Sequence, residues 1–365
     1  MMKVALLGAG HIGQIIARLL HGCGDYQVTV FDRHEAPLRA LRESGILVQT
    51  LDTDDQSWLE AALESRDAVL NALPYQLAIP SARAALKMRC SYFDLTEDVA
   101  ATKEIMRLAD GAATAFMPQC GLAPGFISIV AHHLASKFDT LDSVKMRVGA
   151  LPAFPTNALK YNVTWSVDGL INEYCHECES ILDGRLTRVL PLEGLEHFSL
   201  DGTEYEAFNT SGGLGTLCET LKGHVRSLDY KTVRYRGHRE LMTFLLSDLQ
   251  LKNDQDTLKA IMRRSMPATM QDVVIVFVKI SGLRDGALLE EVFARKIFAE
   301  RDGPAPLSAI QITTAAGICT ALDLFREGKL PRSGFIRQEQ LALKDFLSNR
   351  FGAVYQQSRQ VEAIS

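Results

Sequence analysis

The stretch Lys3-Val4-Ala5-Leu6-Leu7-Gly8-Ala9-Gly10-His11-Ile12-Gly13 decides the fold, because an apolar strand runs straight into a G-x-G-x-x-G turn. Beyond it Ile12, Ile15, Ile16, Leu19 and Leu20 recur at helical spacing, giving one apolar stripe to lay on a sheet, and Gly22 and Gly24 end that helix. Strand, glycines and helix in this order make the opening of a dinucleotide-binding unit. Gly8 permits the tight turn, Gly10 lets backbone approach a pyrophosphate, and Gly13 lets the helix lie close to the strand. Ala9, His11 and Ile12 complete the loop, whose backbone N–H groups at the positive end of the helix suit an anion. Asp32 falls about 20 residues further on, where an acid can accept from a ribose 2′-hydroxyl. That carboxylate would repel a 2′-phosphate, so NAD is the expected cofactor, with Arg33 beside it as a partner for NADP.

From the start to residue 125 short β-rich runs alternate with helical patterns, which predicts an α/β domain with a Rossmann-type, doubly wound parallel sheet. The strands are read as 3–7, 27–32, 47–52, 68–73, 91–95 and 114–119. Ligands of such sheets bind beyond the carboxyl ends of the strands. Those ends bring Asp52, Asn71, Ala72, Leu73, Pro74, Asp94 and Cys120 to the cofactor, and Tyr75, Cys120 and Gly121 toward a substrate. Asp94 and Glu97 also suit the role of helix-capping acids ahead of Val99. After Gly121, Pro124 suits the first turn of a helix that leaves the first domain. Residues 126–305 read as an α+β substrate and dimerisation domain with a mixed sheet, with strands at 143–149, 229–235 and 273–280. Residues 306–365 read as helices that pack back on the first domain.

With 365 residues, 47% hydrophobic, 23% charged and a net charge of −5, the chain suits two globular domains rather than disorder or nucleic-acid binding. No apolar run approaches the ~20 residues of a membrane span, and the opening shows no signal-peptide pattern, so a cytoplasmic location is expected. Seven cysteines in irregular spacing argue against a disulfide framework. Cys175 and Cys178 form one CxxC with no second pair to close a zinc site, and read as helix residues; no metal is expected.

Later segments carry a resemblance. Cys120-Gly121-Leu122-Ala123-Pro124-Gly125-Phe126, Tyr161 to Tyr174, and Thr210-Ser211-Gly212-Gly213 followed by Asp229 to His238 resemble the saccharopine dehydrogenase family, and within it the lysine 6-dehydrogenase branch. The resemblance implies a nicotinamide-dependent oxidation of a carbon–nitrogen bond in an amino acid, by a homodimer joined through the middle domain. For lysine it implies loss of the ε-amine as ammonia; saccharopine-type relatives join or split a secondary amine. Arg236, where proline is expected before Gly237-His238, and Cys218, another proline position, depart from that pattern. A silent NAD-binding sensor would use the same glycine loop.

An amine must lose a proton before its carbon gives up hydride. His238, Asp94 and Glu173 are the candidate bases; a histidine after a strand is most often solvated, and Glu173 on a helix from about Ser166 is most often exposed. Tyr161, Thr164, Ser166, Thr210 and Ser211 offer hydroxyls to a substrate carboxylate and Arg234 a fork, while Tyr161 and Trp165 could sheath an aliphatic chain. Cys120 is read as a packing group, since hydride transfer needs no covalent intermediate.

Overall fold

The computed structural model describes residues 1–51, 57–162, 165–266, 268–299 and 307–356. They form two compact units, Met1–Ile129 with Gln311–Gln356, and Val130–Ile310. The chain starts β1 (Met2–Leu7), α1 (His11–Gly22), β2 (Tyr26–Asp32), α2 (Glu35–Glu43), β3 (Leu47–Thr50), α3 (Ser57–Leu63), β4 (Ala68–Asn71), α4 (Ala78–Lys87), β5 (Ser91–Asp94), α5 (Val99–Leu108), β6 (Ala115–Met117) and α6 (Phe126–Ala135). In α1 the stripe buries Ile15, Ile16 and Leu20 as its period requires.

The second unit continues with β7 (Thr140–Pro152), α7 (Val167–Cys175), β8 (Cys178–Leu182), β9 (Arg185–Val189), β10 (Glu196–Leu200), β11 (Thr203–Asn209), α8 (Leu217–Leu221), β12 (Val225–Tyr235), α9 (His238–Thr243), α10 (Gln255–Ser265), β13 (Asp272–Arg284) and β14 (Ala287–Phe298). Then α11 (Ala309–Arg326), β15 (Gly334–Phe335) and α12 (Leu343–Ser348) return to the first unit.

The first sheet runs β15-β6-β5-β4-β1-β2-β3, parallel at every pairing. Its order reverses between β1 and β4, the point where such sheets open a crevice. The α/β reading with a second, mixed sheet holds. Strand ends differ from expectation for local reasons. β6 stops at Met117 because Pro118 has no N–H to give the ladder and Gln119 turns to φ 65°. β4 stops at Asn71, where the side chain accepts from the N–H of Leu73 and pulls the chain off the ladder. The expected end of β3 at Asp52 lies outside the described residues.

The second sheet runs β10-β11-β12-β7-β13-β14, with β8 and β9 joined to it through β12; β7 and β12 are parallel and the other pairings antiparallel. One face buries Leu151, Tyr205, Ala207, Val233 and Ile275. Against the other face α7, α9 and α10 bury Leu170, Ile171, Tyr174, Met242, Leu258 and Met262. Among the described residues no helix is long and apolar enough to cross a membrane.

Candidate active site

At the crevice edge of the first sheet, backbone does the work. Gly8 has φ 100°, and a Cβ there would stand 2.8 Å from the carbonyl oxygen of Ala72; a Cβ on Gly13 would stand 2.0 Å from that of Gly8. Neither position admits a larger residue. A Cβ on Gly10 meets nothing within 4 Å. The loop is therefore packed tight on its protein side and open at its middle glycine, where α1 begins without a side-chain cap or a first-turn acid. That arrangement fits a pyrophosphate against unpaired N–H groups.

Asp32 holds this loop in place. Its carboxylate accepts from the N–H of Ala9 at 2.7 Å and from that of His34 at 2.8 Å. Arg33 is exposed, with its Nε donating to His34 Nε2 at 3.1 Å.

The other strand-end side chains are turned to internal tasks. The amide of Asn71 donates to Tyr92 Oη and accepts from Leu73. Asp94, 1% exposed, accepts from Tyr92 Oη and from the N–H groups of Thr96 and Gln119. Burial pushes its carboxyl up to about 6 despite those donors. It thereby clamps the strained Gln119 corner. Asp94 and Glu97 do not cap α5; Asp98 does, accepting from the N–H of Ala101. Glu97 is half-buried, and desolvation raises its carboxyl to about 7. Cys120 is 1% exposed and its thiol donates to the carbonyl of Met117, while Gln338 donates to its sulfur at 3.3 Å. Burial raises that thiol far above its ordinary value, so it stays protonated and inward. Pro124 does not open α6: it follows a cis peptide in the loop, and the helix starts at Phe126. Pro74 is exposed and leads into a single 3₁₀ turn that carries half-buried Tyr75.

The second unit builds its site from side chains on the helix-covered face of its sheet. Arg234 of β12, 3% exposed, donates from Nε to Tyr174 Oη at 2.9 Å and from Nη1 to the carbonyl of Val233. Its guanidinium lies 5.0 Å from the centroid of the Tyr161 ring. Tyr174 Oη in turn lies 3.1 Å from His238 Nε2, and His238 Nδ1 lies 2.9 Å from the carbonyl of Leu159. A carbonyl only accepts, so Nδ1 carries the proton and Nε2 accepts from Tyr174. Desolvation and the Arg234 charge lower His238 to about 3, which keeps it neutral.

His238 is therefore not solvated, contrary to the expectation for a strand end, and its basic nitrogen is occupied. Buried Glu206 holds it there by accepting from the N–H groups of Gly237 and Arg239. The sequence reading missed Glu206, although an inward acid on an alternating strand was its available signal.

Among the described residues three cations are buried: Arg147, Lys231 and Arg234. Arg147 pairs with Glu196 and Asp229, and Lys231 with Glu196. Arg234 has no such ion pair, although the field of Glu173 reaches it. Glu173 itself is buried in α7, against the expectation of an exposed helical acid. Thr210 Oγ1 and Asn162 Oδ1 are buried without a hydrogen-bond partner in the same unit.

Comparison with known proteins gives this arrangement its family. Residues 4–116 match the saccharopine dehydrogenase NADP binding domain, and residues 121–352 the saccharopine dehydrogenase C-terminal domain. The chain belongs to the saccharopine dehydrogenase family. It is 23% identical over 319 residues to the mitochondrial alpha-aminoadipic semialdehyde synthase of Rattus norvegicus, covering 81% of this chain and 33% of that one. To the saccharopine dehydrogenase [NADP(+), L-glutamate-forming] of Pyricularia oryzae it is 26% identical over 199 residues, 51% of this chain and 43% of that one. It thus spans about a third to two-fifths of the length of these curated relatives. Among solved structures, apo saccharopine dehydrogenase (L-Glu forming) from Saccharomyces cerevisiae shares the fold, with a TM-score of 0.78 at 19% identity over 94% of this chain and 96% of that one.

As a member of the saccharopine dehydrogenase family the chain carries that family's nucleotide-binding domain over residues 4–116. The choice between NAD and NADP is finer than this match. Several sequence-predicted site residues have other employment in this family member. Ser166 caps α7, accepting from the N–H of Gly169. The N–H of Ser211 donates to the carbonyl of Glu173. Trp165 donates to Tyr161 Oη at 3.1 Å, so the two rings act as one wall. Thr164 lies outside the described residues. Cys175 and Cys178 are not two residues of one helix: the first ends α7 and the second begins β8. Among the described residues no His, Cys, Asp or Glu group could hold a metal ion.

Proposed function

We propose that the protein oxidises a carbon–nitrogen bond of an amino acid bearing one carboxylate at the end that enters the second unit, with the ε-amine of L-lysine as first candidate. The observation that carries this is Arg234, a buried guanidinium without an ion pair among the described residues. Leaving such a charge buried is costly unless a ligand anion completes it. Its fork suits a carboxylate. The charge of Arg234 has the sign that a substrate carboxylate needs.

Gly8, Gly10 and Gly13 would hold the nucleotide by its pyrophosphate, and the bound nicotinamide ring supplies the hydride acceptor. The chain's own residues do the rest. Arg234 fixes the carboxylate; Tyr174 and neutral His238 hold the guanidinium in one orientation and take no proton. The base is proposed to be Glu97, a half-buried acid that follows the carboxyl end of β5 and whose carboxyl desolvation raises to about 7. Water then adds to the oxidised carbon and ammonia leaves. We retain NAD as the proposed cofactor on the strength of Asp32, with Arg33 as the residue that would serve a 2′-phosphate.

A saccharopine-type reaction on a secondary amine is the second reading, supported by the curated relatives. Its substrate carries further carboxylates, and these need cations beyond Arg234. Reduction of NAD and of NADP followed at 340 nm with L-lysine and with saccharopine decides between them. Turnover with lysine alone supports the first reading, and turnover with saccharopine alone overturns it.

A further inference from the structure

The corner that follows β6 is held in an unusual conformation by its neighbours. Gln119 has φ 65°, a left-handed backbone that glycine and asparagine adopt readily and a longer side chain seldom does. Hydrogen bonds fix it from both flanks. The carbonyl of Pro118 accepts from Nε2 of Gln338 at 2.7 Å, the N–H of Gln119 donates to the Asp94 carboxylate at 2.8 Å, and the N–H of Cys120 donates to the Asp94 carbonyl at 2.8 Å. The helix α11 also comes close, since a Cβ on Gly317 would stand 2.6 Å from the Cys120 carbonyl oxygen. So much restraint on a residue of poor intrinsic fit points to a use for its side chain.

That side chain has no task in the fold. Gln119 is 2% exposed, and among the described residues its amide has no hydrogen-bond partner. The groups around it are engaged: Asn71 with Tyr92, Tyr92 with Asp94, and the Cys120 thiol with the Met117 carbonyl. A buried amide carries two N–H donors and an acceptor, and leaving them unmet is costly unless a ligand meets them.

Its place in the sheet selects the ligand. A sheet of this order consists of two mononucleotide-binding halves, with the dinucleotide lying across the ends of the strands. The half made by β1, β2 and β3 carries the glycine loop and Asp32 for the adenosine end, which leaves β4, β5 and β6 for the nicotinamide end. Nicotinamide bears a primary carboxamide, the same group that a glutamine side chain presents. Two such amides join by paired hydrogen bonds, each giving an N–H to the other's carbonyl.

We propose that the side-chain amide of Gln119 binds the carboxamide of the nicotinamide ring and so fixes the rotation of that ring in the crevice. The inference rests on the nucleotide site read from Gly8, Gly10 and Gly13, and it is independent of which amine is oxidised. A ring fixed in this way presents one face to the substrate carbon, which is the positioning that hydride transfer requires.

The test is titration calorimetry with the full chain and no substrate. The probes are NAD, its 3-acetylpyridine analogue, in which a methyl group replaces the amide nitrogen, and ADP-ribose, which lacks the ring. Each is used with and without a 2′-phosphate, so that the preferred cofactor does not decide the outcome. The wild type should bind NAD roughly tenfold tighter than the acetylpyridine analogue, the worth of one buried hydrogen bond. Gln119→Met keeps the length of the side chain without its amide. It should weaken NAD by roughly tenfold or more, bind NAD and the analogue alike, and hold ADP-ribose as the wild type does. Gln119→Asn, which tolerates the left-handed backbone, should recover part of the preference for NAD. Discrimination that survives Gln119→Met overturns the proposal, as does a wild type that does not discriminate. An equal loss of ADP-ribose affinity in Gln119→Met would assign the residue to holding the loop and overturn it also. A wild type that binds no ADP-ribose removes the nucleotide site itself, and the proposal with it.

Discussion

The crevice edge of the first sheet and the helix-covered face of the second show two ways to prepare for a ligand. At the first, nearly every polar side chain is already engaged by the fold: Asp32 with Ala9 and His34, Asn71 with Tyr92, Asp94 with Gln119 and Thr96. What is left for the ligand is backbone. At the second the backbone is consumed by strands, and among the described residues one buried cation, Arg234, is left without an ion pair, aimed by Tyr174 and His238. Backbone recognition depends on absent side chains and therefore leaves a motif. Side-chain recognition depends on partners brought from distant segments and leaves none.

Glu97 and Gln119 are the exceptions at the first edge, and replacing Glu97 should have the largest effect. A base must be deprotonated to act, so kcat/KM of the wild type should rise with pH through about 7, the value to which burial lifts this carboxyl. Glu97→Gln should lose that limb and about 10²–10⁴-fold in kcat. A pH profile that keeps its inflection in the variant removes Glu97 from proton transfer. Next, Arg234→Met should lower kcat/KM for the carboxylate substrate roughly 100-fold, through KM, since a lost charge-assisted pair is worth about 2–5 kcal/mol. The Kd for the nucleotide should not change, and if titration shows it weakened as much as the substrate, the division of labour fails.

Gly13→Val should cost about 2 kcal/mol of stability, because its Cβ begins 2.0 Å from the Gly8 oxygen. Gly10→Ala, with open space around it, should cost about 1 kcal/mol or less. Thermal melts with and without nucleotide would compare them; equal loss would mean the loop is not packed as described. An effect between these two is expected at Asp32. Because its oxygens tie down the loop and also oppose a 2′-phosphate, Asp32→Ser should weaken NAD by about tenfold and NADP by less. A variant that changes only the ratio of the two Kd values would return Asp32 to a pure ribose role.

These two regions also differ in how far the sequence disclosed them. The glycine loop, β1, α1 and the parallel order were legible because each is a local pattern with one period. β15 was not, since two residues have no period, and β14 was not, since Leu289, Glu290, Glu291, Val292 and Phe293 break strict alternation. Its best signal was Asp285-Gly286, a turn that demands positive φ at both residues. Arg234 was legible as a fork and His238 as a titratable ring. The relay between them was hidden, since Leu159, Tyr174, Arg234 and His238 meet only when α7, β12 and α9 pack together. Burial likewise reversed the role of Glu173, and no single-residue rule anticipates that.

The parallel sheet of the first unit takes its last strand, β15, from residues 334 and 335, and its aromatic packing at Phe126 is finished by Phe346 and Tyr355. A chain emerging from the ribosome therefore makes β6 well before the strand that covers its edge, with the whole second unit synthesised in between. Throughout that interval the edge of β6 is bare, which makes the nascent chain a client for protection by chaperones until β15 arrives.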